Sequence, residues 1–169
     1  MKGGLLNEYE VMQNVGLGAE ALTAFTVAFH AVPKRHEPTP TLWHMATVLP
    51  LVFHEVSRRA ITKHQARSGL RSVLERNPES DIAQNEAIFN LNIRLRATFP
   101  RTIRSINCAV SWGLLAVEDG AILVRSTRRR RSVSGEARSI ISAATKLGTW
   151  AGQMTSFEYL TVLGVEVRG

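Results

Sequence analysis

Apolar side chains recur at helical spacing along most of this chain, and the runs are broken at proline and glycine. Leu5–Val15 is a short amphipathic stretch. From Ala19 to Val32 the apolar residues Ala21, Leu22, Phe25, Val27, Ala28 and Phe29 cover most of the circumference, which predicts a helix buried on nearly every side. Asn14 is placed to cap its start and Pro33 to stop it. Residues 33–40, with three prolines, read as a polar loop. Thr41 then caps a second buried helix, Leu42–Leu49, which Pro50 should kink or end, with Leu51–Phe53 continuing the core. Residues 61–77 predict a shorter helix carrying Leu70, Val73 and Leu74, closed by Asn77-Pro78. Asp81, with Gln84 three residues on, opens another, whose stripe of Ile88, Leu91 and Leu95 is broadened by Phe89 and Ile93.

The pattern is richest over residues 100–125. Ile103, Ile106 and Val110 form one apolar stripe, with Arg101, Arg104, Ser105 and Ser111 on the other side. Pro100 suits the first turn of that helix and Gly113 its C-terminal stop. Two β-prone runs, Leu114–Val117 and Ala121–Val124, flank Asp119-Gly120, a strong hairpin signal. A basic-faced helix followed by a small hairpin is how a winged helix-turn-helix ends. After the hairpin, Glu136 opens a helix with Ala137, Ile140, Ile141, Ala144, Leu147, Ala151 and Met154 at helical spacing. The chain closes as one more short helix and an extended tail. The expected fold is therefore mainly α, one domain over 1–169. It comprises a helical part (1–80), a winged-helix-like module (81–125), and a basic loop with C-terminal helices (126–169).

Charge sharpens this picture. The net charge is +7, and its excess is uneven. Residues 1–60 balance, residues 61–113 hold eight basic against four acidic side chains, and residues 114–169 hold eight against five. The C-terminal two-thirds should attract a polyanion, either nucleic acid or an acidic protein. The run Arg128, Arg129, Arg130 and Arg131 reads as a solvated loop or as a contact to phosphates without base readout. With Arg101, Arg104 and Arg125 it makes up the candidate nucleic-acid-binding set.

Catalytic chemistry finds little support. The five histidines (30, 36, 44, 54, 64) have neither i, i+4 spacing nor a cysteine neighbour, so no metal is expected. Cys108, the single cysteine, fits a reducing compartment and lies one turn from Arg104, without a visible base. His54-Glu55 point apart on a helix. Gly16-Leu-Gly18, with Glu37 where a ribose-binding acid would fall, matches the dinucleotide fingerprint loosely, but no strand precedes it convincingly. Core packing is the expected role of Trp43, Trp112 and Trp150. No cofactor, membrane contact or small-molecule substrate is expected. The absence of a leader-like apolar stretch after Met1 points to the cytoplasm.

Four pieces in order resemble the middle component of bacterial three-component ABC conflict systems, related to Lamassu-type defence modules. They are Glu10 with Asn14 ahead of a greasy helix, and Val48–His54 after a proline-rich loop. The others are Ser111–Leu115 before a wing, and the closing Tyr159–Arg168. The resemblance implies a non-enzymatic adaptor bridging an SMC-like ABC ATPase and an effector in anti-phage defence. The closing Val165, Val167 and Arg168 would be available to such partners, while the arginine run has no counterpart in the resemblance. The alternative from the residues alone is a stand-alone winged-helix DNA-binding regulator.

Overall fold

The computed structural model describes residues 2–65, 67, 69–74, 90–127 and 135–166, with side chains from Asn14 onward except at Leu74. Seven helices and one hairpin are present among them. The expected cap at Asp81, the stripe residues Ile88 and Phe89, the stop at Asn77-Pro78, Arg128–Arg131, Val167 and Arg168 lie outside the described residues.

One helix, α1 (Lys2–Ala31), replaces the two N-terminal pieces read from the sequence. Gly16 and Gly18 sit inside it, and they serve packing. A Cβ on Gly18 would collide with Ser105 and press on Leu49, and one on Gly16 would meet the Trp112 ring at 3.2 Å. The dinucleotide reading fails here: no strand precedes these glycines, and the carboxylate of Glu37 accepts the backbone N–H of Ser156 at 3.1 Å.

Helix α2 (Leu42–Val52) starts at Thr41, as the pattern predicts, but runs through Pro50. Its opening is a capping box with histidine at the third position. Thr41 donates its backbone N–H to His44 Nδ1 (3.0 Å). Its end is held from outside: Arg94 donates to the Pro50 carbonyl (2.9 Å) and Arg58 to that of Val52 (3.0 Å). Two shorter helices follow, α3 (Glu55–Lys63), capped by His54, and α4 (Gly69–Leu74).

Helix α5 (Leu91–Ser111) is continuous, so Pro100 is an interior residue and not a first-turn one. It lies on the exposed side, where the hydrogen bond it cannot donate is lost next to water. The buried stripe is Leu91, Leu95, Thr102, Ser105, Ile106 and Ala109; Val110 and Ile93 are exposed. Ser105, expected on the polar side, is fully buried against α1 and donates to the Val15 carbonyl (3.2 Å). The helix ends in a Schellman motif: Gly113 has φ 69°, and the N–H of Leu114 bonds the Ala109 carbonyl at 2.9 Å.

Strands β1 (Leu115–Glu118) and β2 (Ala121–Val124) pair antiparallel with Leu115 opposite Val124 and Glu118 opposite Ala121. Asp119 and Gly120 both have positive φ (49° and 79°), as a two-residue turn of the I′ kind requires. Helix-then-hairpin order is compatible with a winged helix.

Helix α6 (Gly135–Gly152) crosses α1 closely enough that a Cβ at Gly148 would strike the backbone of Phe25; one at Gly152 would approach the Phe29 carbonyl at 2.9 Å. The short α7 (Ser156–Val162) carries the fully buried Tyr159 into the same core. One apolar cluster collects side chains from every helix and from the hairpin. Of the tryptophans only Trp150 is fully buried; Trp43 and Trp112 are nearly half exposed. No helix is long and apolar enough to cross a membrane among the described residues.

Candidate partner and nucleic-acid surface

Much of the basic character that the sequence offers to a polyanion is engaged in holding helix ends. A helix leaves its last carbonyls without internal donors and carries partial negative charge there. Arg35 donates to the His30 carbonyl at the end of α1 (2.8 Å), and Arg58 and Arg94 serve α2. Lys146, from α6, gives both Thr62 and His64 a hydrogen bond of 2.7 Å at the end of α3. Arg58 also meets Glu136 (2.9 Å), and Arg71 meets Glu158 (2.8 Å).

The expected nucleic-acid set separates under this geometry. Arg125 reaches across the hairpin to Glu118 (2.8 Å), which neutralises it. Arg101 is half-buried with its guanidinium over the Phe53 ring, 5.9 Å from the centroid. Arg104 is exposed and has no ion pair among the described residues. Arg96, which the sequence reading passed over, is exposed in the same way. Val165 belongs to the core at 9% exposure, so the surface it would offer a partner is already covered by this chain. Asn92 holds the tail beside it, donating to the Gly164 carbonyl (3.0 Å) and accepting the Glu166 N–H (3.3 Å).

What α5 presents outward is a line of six residues. Ile93, Ala97, Pro100, Arg104, Asn107 and Ser111 follow the spacing i, i+4, i+7, i+11, i+14, i+18, and all are exposed. The N-terminal half of that line is apolar, with Arg96 on one shoulder and Arg101 on the other. No acidic residue occurs anywhere in α5. The signal for this face was in the sequence, but it reads as one line only when the helix is continuous through Pro100.

Beside this half of α5 the molecule is electropositive. Arg94 has two buried nitrogens, Nε and Nη2, with no partner among the described residues. His54 is held below its ordinary pKa by burial first, then by the charges of Arg94 and Arg58. Burial pushes the Cys108 thiol up, the opposite of what a nucleophile needs. No group of three or more His, Cys, Asp or Glu side chains is placed to hold a metal among the described residues.

With the outward face of α5 and the docked tail in view, comparison with known proteins adds the decisive observation. The family model of the ABC-three component (ABC-3C) system Middle Component 3 matches residues 3–167. The chain belongs to this family. The match spans both the long N-terminal helix and the tail, so this middle component is matched as one unit and not through a shared fragment. No curated protein matches the chain, and no solved structure does.

Proposed function

We propose that this middle component is a non-enzymatic bridging subunit, working in the cytoplasm, that joins an SMC-like ABC ATPase to an effector in anti-phage defence. The observation that carries the reading is family membership along almost the whole chain. The outward face of α5 supports it, because exposed arginines beside exposed apolar side chains suit a protein contact.

Co-expression with the other two components of its system tests the reading. The three should elute together from a sizing column, and the purified middle component alone should hydrolyse neither ATP nor DNA. Failure of the middle component to join either protein would refute the bridging role. Any DNA binding by the isolated chain should be weak and indifferent to sequence, with Kd on the order of 10⁻⁴–10⁻⁶ M at physiological salt. Several of its described cations are already paired within the fold, Arg125 among them.

A further inference from the structure

We infer that the N-terminal half of the outward face of α5, Ile93, Ala97 and Pro100 between Arg96 and Arg101, docks an acidic protein surface carrying an exposed apolar side chain. The inference rests on the bridging reading and names the chemistry of one of its two partners.

Three observations carry it. Ile93 is 68% exposed at the N-terminal end of a helix face otherwise free of large apolar groups, and only an apolar partner gains by covering it. The cations around it, Arg96, Arg101 and Arg104, have no carboxylate partner among the described residues, and α5 supplies none. On the same helix Arg94 is committed to the end of α2 and has no carboxylate partner among the described residues, so it adds positive field without being a reachable ligand, whereas Arg58 is paired with Glu136. A carboxylate arriving from outside therefore meets a surface already biased toward it.

The same features argue against a nucleic acid at this place. Arg96 and Arg104 lie eight residues apart on α5, about 12 Å along its axis. On the outward line between them stand Ala97 and Pro100, which offer a phosphate no side-chain donor, and Arg101 at the shoulder is half-buried over the Phe53 ring. An apolar centre with arginines around it is the composition of a protein interface.

The test uses the full chain co-expressed with the other two components of its system. Variants are Ile93→Asp, Arg96→Glu with Arg104→Glu, the milder Arg96→Gln with Arg104→Gln, and Arg138→Glu as a control at an exposed cation of α6. All four positions are exposed, and thermal melting checks that each variant folds. We expect Ile93→Asp and the double glutamate variant each to weaken assembly with one component by about tenfold or more. The glutamine pair should weaken it less, and Arg138→Glu should assemble as the native chain does. Undiminished assembly of the folded Ile93→Asp and double glutamate variants overturns the inference and leaves the bridging reading standing. Loss of duplex DNA binding with assembly intact also overturns it, and makes this a nucleic-acid face. If the native chain joins neither component, both readings fail.

Discussion

His44 shows how one residue can couple the fold to pH. It is fully buried among the rings of Phe25, Phe29 and Tyr159, and its Nδ1 accepts the Thr41 N–H, which leaves the proton on Nε2. That nitrogen has no partner among the described residues. Burial pushes its pKa down to about 4, against the opposing pull of Glu37. An unfolded chain takes up this proton near pH 6.5, so between those values the unfolded state binds more protons. Stability should therefore fall as pH drops from 6.5 toward 4, by about 3 kcal/mol at the limit, with no such loss above 6.5. Denaturant midpoints across that range check it. In His44→Gln, which keeps a capping side chain that cannot titrate, this part of the slope should vanish. Gly148 belongs to the same scale. Its hydrogen faces the Phe25 backbone, which cannot move aside as a flexible side chain would. Gly148→Ala should destabilise by about 1–3 kcal/mol or more, read as a lowered melting temperature.

Among the elements, the hairpin and α2 were most legible, because Asp119-Gly120 and Thr41 act through local chemistry: a turn that needs positive φ, and an N-terminus that needs an acceptor. The prolines were legible only as obstacles. Pro50 and Pro100 each remove one donor, but tertiary packing carries both helices past them. In α2 the last carbonyls find arginines from α3 and α5, and in α5 the gap opens to water. The glycines of α1 resembled a fingerprint, and those of α6 carried no signal, because the feature that requires them, a second helix close by, is invisible in one segment of chain. Lys146 is the clearest case of an element held by another, since it supplies the donors that the end of α3 lacks. Lys146→Met should leave those carbonyls unserved and cost about 1.5–3 kcal/mol. Amide exchange in α3 should speed up more than in α2.

For the whole molecule, the net charge of +7 overstated the surface available to a polyanion, since Arg35, Arg58, Arg94 and Lys146 serve helix ends. What is left on α5 is smaller and mixed with apolar side chains, which turns the reading from phosphate toward protein. The tail is also more structural than its sequence suggests. Tyr159, Leu160, Leu163 and Val165 are buried, so a chain ended after Thr155 should lose cooperative melting. The central claim is that this middle component joins two other proteins. It is tested most directly by mixing the purified ATPase and effector of the system, with and without this chain, and measuring the mass of what forms. The account requires a three-protein complex only when this chain is present. An ATPase–effector complex of equal affinity in its absence would contradict it.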